Sequence, residues 1–417
     1  MFDIDNWHEI WAVLRANPLR TLLTAFGVVW AIFMLMFMLA FGSGLQVGAK
    51  NAMRGMADNT LFVWGQSTTK PYQGLPTGRV IHFDTRDMDA LRGLPDVEYI
   101  APVIQAGGFG NGSTAVYGTK SGSFNIYGEQ PDFAHIVSLE YTAGRFINKA
   151  DVDEHRKVAV IGNKVVEQLY TTGENPIGTY LKLNGVFFKV VGTFKPIRGG
   201  NWGDRDAQSI YCNFSAFQQV FHTGDKIGFI TLTARPGSGE RIERVVKQTL
   251  ARTHRFDPTD ELAIGSFNAF KASEDMNAFF VVLKVVVWVV GFLTLLAGTI
   301  GVSNIMLITV KERTREIGLR KALGASPVTI IAMIMKESMV LTAIAGLLGI
   351  AAGAGIIAAF DAAVNMMGPT APFGHPAVGL GIAVQALVVL ILSGAIAGIM
   401  PAAHAASIQP VEALRAE

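Results

Sequence analysis

Four stretches of the chain, residues 21–41, 285–310, 338–360 and 377–400, are apolar and free of charged side chains. Each is long enough to cross ~30 Å of hydrocarbon at ~1.5 Å of helical rise per residue. Buried helices of soluble proteins rarely run so far without a charge, so the pattern predicts four transmembrane α-helices. The first stretch exceeds the ~7–15 apolar residues of a cleavable signal and no clear A-x-A site follows it, so it reads as a retained anchor. Between the first and second stretches the periodicity changes. Strand-like runs fall at 60–64, 97–103, 113–117, 157–161, 186–193 and 229–234, and helical patterns near 84–92, 163–170 and 240–253. Asn184-Gly185 between two such runs is a strong hairpin signal. The fold class is therefore a membrane protein, four transmembrane α-helices plus a large α+β extracytoplasmic domain inserted between helices one and two.

The flanks of these elements are patterned too. Asn6 and Glu9 fit a reciprocal N-cap, and Trp7, Ile10, Trp11 and Leu14 recur on one helical face. That face suits the inner-leaflet boundary, where tryptophan prefers to lie, or packing against protein. Residues 42–59 and 267–284 keep helical character but turn polar, as helices do that leave a bilayer and continue as stalks. The expected order is an interfacial amphipathic helix (1–20), the first span and its stalk (21–58), the α+β core domain (59–265), a stalk and second span (266–310), a cytoplasmic coupling helix (311–326), the third span (327–360), a short loop (361–376), the fourth span (377–400) and a cytoplasmic tail (401–417).

Charge decides the orientation. The connection between spans two and three carries Lys311, Arg313, Arg315, Arg320, Lys321 and Lys336, whereas residues 361–376 contain no Lys or Arg. By the positive-inside bias, the basic loop and both termini are expected on the cytoplasmic side of a bacterial inner membrane, with the large domain periplasmic. Within the spans, Gly349-x-x-x-Gly353 and Gly394-x-x-x-Gly398 let helices approach closely. Thr299, Asn304, Gln385 and Ser393 read as interhelical hydrogen-bond partners. Lys284, Glu337 and Asp361 lie at or beyond the span ends, so no polar conduit is expected.

Composition narrows the chemistry. Half of the 417 residues are apolar and 16% are charged, the mixture of a membrane bundle joined to a soluble domain. The net charge of +2 gives nucleic-acid binding no electrostatic basis. Cys212 is the only cysteine, which rules out an intrachain disulfide and a cysteine-based zinc cluster, and the eight histidines form no ligand pair. No metal site is expected. No G-x-x-x-x-G-K-[ST] and no G-x-S-x-G occurs. Gly107-Gly108 and Gly199-Gly200 sit in loops with no helix pattern after them, and Asp151 and Asp153 read as an exposed charged turn. The chain is expected to be non-catalytic, with no catalytic residue and no cofactor of its own.

The most informative segment runs from Thr309 to Pro327. Ile317, Leu319, Ala322 and Leu323 line one side of a short helix otherwise rich in charge. Gly324 is placed as its stop, and Ser326-Pro327 as the cap and first residue of the next helix. Such a helix docks into a partner's cleft or lies as a basic, snorkelling loop.

This loop closely resembles the coupling segment of the MacB/FtsX-like family of ABC transporter permeases. The likeness extends over nearly the whole chain. It includes the leader from Trp11 to Thr24, and Gly144-Arg-Phe-Ile with Asp151, Arg156–Gly162, Asn175-Pro-Ile-Gly and Gly192-Thr-Phe-Lys-Pro in the soluble domain. It ends with Pro401-Ala-Ala-His-Ala-Ala and Gln409-Pro-Val-Glu-Ala-Leu-Arg. Where the family tail usually has two basic residues, this chain has Ala403-His404.

The resemblance implies a dimer with a second permease chain, bound to two ABC ATPase subunits that carry the ATP and magnesium. A periplasmic adaptor and an outer-membrane channel are partners in some such assemblies. ATPase coupling would fall to Glu312, Arg313, Glu316, Ile317, Arg320, Leu323, Gly324 and Ala325, and tail contacts to Pro410, Glu412, Leu414 and Arg415. Two functions fit: ATP-driven export or extraction from the periplasmic side, or mechanical signalling to an external partner such as a cell-wall hydrolase, without transport.

Overall fold

A computed structural model describes residues 18–108, 112–198, 200–367, 374–375 and 380–409. In chain order the elements are α1 (Pro18–Met53), β1 (Thr60–Gly65), β2 (Phe83–Asp84), α2 (Thr85–Arg92), β3 (Val97–Gln105), β4 (Ser113–Tyr117), β5 (Lys120–Glu129), α3 (Phe133–Ile136), β6 (Leu139–Gly144), α4 (Lys149–Asp153), β7 (Val158–Gly162) and α5 (Asn163–Leu169). There follow β8 (Tyr180–Leu183), β9 (Val186–Pro196), α6 (Gly200–Ala207), β10 (Ser209–Asn213), α7 (Phe214–Phe221), β11 (Lys226–Ile227), β12 (Phe229–Ala234) and α8 (Ile242–His254). Last come β13 (Ile264–Asn268), α9 (Ala269–Glu312), α10 (Thr314–Ala322), α11 (Pro327–Met367) and α12 (Leu380–Ser407). Among the described residues, those up to 48 and from 279 onward form a helical unit, and residues 49–278 form an α+β unit.

The helical unit holds four helices apolar and long enough to span a membrane, within Ala25–Met53, Ala269–Glu312, Pro327–Met367 and Val388–Ser407. The chain is thus a membrane protein with its α+β domain between the first and second spans. Inward faces meet in one cluster that includes Val28, Ile32 and Met36 of α1, Val302 and Met306 of α9, Ile334 and Leu341 of α11, and Leu390 and Ala397 of α12. Outward faces remain apolar, as at Phe26, Val286, Leu293, Leu347 and Ile396, which suits hydrocarbon as the surrounding medium. Lipid gives helices no hydrophobic reason to associate, so close approach by small residues has to supply the contact.

The glycines provide it. A Cβ on Gly349 would lie 2.7 Å from the Val29 carbonyl oxygen of α1, and one on Gly353 would lie 3.2 Å from Met36 Cβ. Across α11 and α12, a Cβ on Gly394 would meet Thr342 Cβ at 3.3 Å and one on Gly398 would meet Met335 Sδ at 2.7 Å. Ser338 Oγ donates across the same pair of helices to the Gly394 carbonyl at 3.2 Å.

Among the described residues, the polar side chains expected to bond between helices show no such bond. Thr299 donates to Leu295 O and Ser393 to Leu390 O, each on its own helix, because a hydroxyl reaches the preceding turn more easily than a neighbouring helix. Asn304 and Gln385 are exposed.

The α+β unit is organised by an eleven-stranded sheet that closes on itself. Its pairing runs β5–β4–β8–β9–β7–β10 and returns to β5 through a parallel β10–β5 ladder. From β5 the sheet continues through β3, β12 and β1 to β13, and β6 adds to β9. The β8–β9 turn is the expected hairpin. Asn184 and Gly185 have φ of 45° and 85°, the paired left-handed conformation of a type I′ turn, and Leu181 pairs with Phe188.

Strand β7 is buried on both faces. Ala159 and Ile161 enter one core with Phe124, Phe188 and Phe217, while Val158 and Val160 enter a second with Phe133, Phe194 and Tyr211. A helix does begin at Gly200. Arg198 reaches forward to Asp206 in a shielded ion pair and lies 5.5 Å from the centre of the Trp202 ring, which holds this polar segment helical against the sheet.

Asp151 is the other correction. Its side chain is fully buried, not part of a solvated turn. It sits at the third position of α4, receives the Asn148 N–H at 3.0 Å while Asn148 Oδ1 receives its own N–H, and binds Arg145 Nη1 at 2.5 Å. Burial pushes this carboxyl upward, but Arg145, the Asn148 amide and Arg156 together hold it below the usual aspartate range.

A carboxyl depressed in the fold stabilises it above the unfolded pKa, near ~4, and that contribution is lost as the pH falls through the folded value. Asp151→Asn is expected to cost about 2 kcal/mol near pH 7, with a gap to wild type that narrows on acidification. Urea unfolding of the purified protein at several pH values checks this; an unchanged gap would assign the loss to packing alone. In the helical unit, Gly349→Val is expected to cost about 2 kcal/mol or more by separating α11 from α1, with Gly355→Ala, which meets nothing within 4 Å, as the silent control in thermal unfolding in detergent.

Candidate coupling site

The turn between α9 and α11 is built from local signals that each satisfy a helix end. Arg313 interrupts the helix with φ −99° and ψ 16°, yet its N–H still reaches Thr309 O and its carbonyl receives Ile317 N–H, both at 3.0 Å. The axis bends here, and the Thr314 hydroxyl takes over the Val310 and Lys311 carbonyls at 3.2 and 2.8 Å. At the other end Gly324 adopts φ +97°, its N–H reaching Lys321 O at 3.1 Å and Ala325 N–H reaching Arg320 O at 3.0 Å. That is a Schellman stop, which an L side chain at Gly324 would strain. Ser326 Oγ then accepts the Thr329 N–H at 3.2 Å and Pro327 opens α11, where its missing N–H costs nothing.

Side chains lock this corner. Arg313 directs Nε and Nη2 to the two oxygens of Glu316, both at 2.9 Å, and Nη1 to Glu337 Oε1 of α11 at 2.7 Å. Glu316 also pairs with Arg320 at 2.9 Å, and Arg320 rests on Met333. Glu316, and then Glu337, raise the already high pKa of Arg313, while Arg313 holds Glu316 below the usual glutamate range. Lys321 Nζ donates to Ala406 O at 2.6 Å and Ile408 O at 2.8 Å at the end of α12. There it satisfies carbonyls that the ending helix leaves open and complements its dipole.

The structure separates residues that the sequence pattern grouped. Ile317 is fully buried in the core of the helical unit, so it is an internal anchor and offers no surface to a partner. Leu323 is 80% exposed, with Leu319 and Val328 also exposed. Glu312 and Gly324 are exposed, and Glu316, Arg320 and Ala325 partly so. The corner thus presents apolar side chains beside Lys311 and Arg315 on a backbone pinned from within.

Glu337 and the capping role of Lys321 were not evident from the pattern. The one legible hint was a lone carboxylate entering an apolar run just after a basic loop. Trp7, Trp11 and Leu14, like Pro410, Glu412, Leu414 and Arg415, lie outside the described residues.

Comparison with known proteins agrees with this organisation. A MacB-like periplasmic core domain matches residues 21–251, and an FtsX-like permease C-terminal region matches residues 288–410. The chain is 31% identical to a pyoverdine export ATP-binding/permease protein, PvdT, of Pseudomonas putida, over 99% of this chain and 60% of that one. It is likewise 31% identical to the PvdT of Pseudomonas aeruginosa, over 98% and 58%. The chain therefore spans about 60% of the length of these relatives. The solved periplasmic region of MacB from Actinobacillus actinomycetemcomitans aligns with 54% of the chain and 95% of that structure, at 18% identity and a TM-score of 0.43. The chain belongs to the MacB/FtsX-like family of ABC transporter permeases.

Proposed function

We propose that the chain is the permease part of an ATP-driven exporter or extractor. An ABC ATPase docks on the α9–α10–α11 corner, and its stroke drives the periplasmic domain rather than opening a polar pore. The observation that carries this reading is the corner itself. Leu323 stands 80% exposed on a helix whose other side is fastened by Ile317, Arg313 and Lys321, so a load applied there is delivered to the spans instead of being absorbed by a loose loop. Binding energy at such surfaces concentrates in a few side chains desolvated within a polar rim, the layout that Leu323 has beside Lys311 and Arg315.

ATP and magnesium belong to the ATPase in this scheme, and a second permease chain completes the assembly. The absence of charge within the apolar stretches favours a hydrophobic or amphipathic substrate taken from the periplasmic side or outer leaflet. The relatives' names, which describe export, support this over pure signalling. An adaptor and an outer-membrane channel would then continue the route. The basic loop supports a reading with both termini in the cytoplasm of a bacterial inner membrane.

Leu323→Asp is expected to leave expression and membrane insertion intact while weakening ATPase capture by about 2 kcal/mol, roughly 30-fold, in copurification at graded ATPase concentration. Ile317→Asp, which buries a charge in the core, is expected to lose the folded protein instead. Capture unchanged in Leu323→Asp would remove this surface from the interface. For orientation, Cys212 is buried, so introduced cysteines report cleanly. Thr172→Cys should react with an impermeant maleimide in spheroplasts, and Leu323→Cys only after permeabilisation; the reverse pattern would invert the topology.

A further inference from the structure

Helix α10 is nine residues long, too short to hold its shape or pose by itself in water. What holds it is a set of attachments to three different spans. It continues from α9 across Arg313, whose N–H reaches Thr309 O and whose carbonyl receives the Ile317 N–H. It is tied to α11 by the Arg313–Glu337 pair, whose side chains are only 14% and 9% exposed. It is tied to the end of α12 by Lys321, which donates to the Ala406 and Ile408 carbonyls.

These two tethers differ from a surface salt bridge in a way that matters. A guanidinium that already forks onto Glu316 has one fixed direction left for Nη1, and Glu337 fills it about three turns into α11. A shielded pair of this kind adds little net stability over apolar packing, and its distinctive contribution is a single geometry. Lys321 likewise joins α10 to the last carbonyls of α12, at a point where that helix has no further turn to receive them. Neither contact involves the exposed residues Leu319, Leu323 and Val328.

We infer that Glu337 and Lys321 are positioning residues that make α10 a yoke. A displacement of α10 is passed to α11 through the ion pair and to α12 through the lysine cap, so three spans move with it. The inference rests on the proposed docking of an ATPase at this corner, and it adds that capture and transmission are separable. Loss of either tether leaves the docking surface in place and disconnects it from the spans.

The test uses the full chain in nanodiscs with the ATPase that copurifies with it. Spin labels go on Phe26→Cys of α1, which neither the ion pair nor the lysine cap reaches, paired with Ala358→Cys of α11 or with Ile396→Cys of α12, all at exposed positions, while native Cys212 is buried. In the otherwise native chain, ATP with vanadate is expected to shift both distances. Glu337→Gln, close in size to the native side chain, and Lys321→Met are expected to capture the ATPase within about twofold of the native level, the first losing most of the α1–α11 shift and the second most of the α1–α12 shift. Lys321→Arg, which can still donate to the two carbonyls, is expected to keep it. A full shift in both Glu337→Gln and Lys321→Met overturns the yoke while leaving the docking proposal standing. Capture lost in step with the shift also overturns it, since the tethers would then only support the fold of the docking surface. A native chain that captures no ATPase overturns the docking proposal itself, and this inference with it.

Discussion

Hydrocarbon offers no partner to a peptide N–H or carbonyl, so a chain that crosses it four times must satisfy its backbone within helices and turn only where other partners exist. The rest of the molecule follows from that constraint. The four spans are long helices, and the turn between α9 and α11 carries its own provisions: a bend at Arg313 whose open carbonyls accept the Thr314 hydroxyl, a Schellman stop at Gly324 and a serine cap at Ser326.

The same constraint explains how the spans cohere. Apolar surfaces gain nothing by leaving lipid for one another, so contact depends on how near two backbones can come. Gly349 and Gly353 admit α1 to α11, and Gly394 and Gly398 admit α12 to α11. Contacts between smooth surfaces of this kind can slide. Among the described residues, directional bonds are concentrated at the α10 corner, where Arg313, Glu337 and Lys321 fix a geometry, and within the bundle Ser338 donates across to Gly394. A bundle fastened by directional bonds at one end suits the proposed transmission of force.

The α+β unit answers a different solvent. It closes a sheet through the β10–β5 ladder, which removes exposed edges from that part of the molecule, and it buries β7 on both faces. Its buried aspartates enter this interior with partners. Asp151 is held by Arg145, Asn148 and Arg156, and Asp206 by Arg198.

By itself the sequence determined whatever depends on neighbours within a few residues. Apolar runs set the four spans because a helix must satisfy hydrocarbon along its whole length. Asn184-Gly185 set the β8–β9 hairpin because both residues tolerate positive φ, and Gly324 with Ser326-Pro327 marked where one helix ends and the next begins. Strands such as β5, which opens Lys-Ser-Gly-Ser, and β10 carry weak local signals, and their partners supply the stability that their composition lacks. Asp151 looked solvated because a charged string gives no sign of an arginine arriving from six residues away in a closed loop. Ile317 and Leu323 shared an apolar side on paper, and only the packing of α10 against the bundle sent one inward and left the other exposed. Glu337 met Arg313 across 24 positions of sequence, and Lys321 met the end of α12 across 85. Those pairings decide how the candidate site is braced, and they belong to the tertiary structure because a side chain's partner is set by where the helices pack.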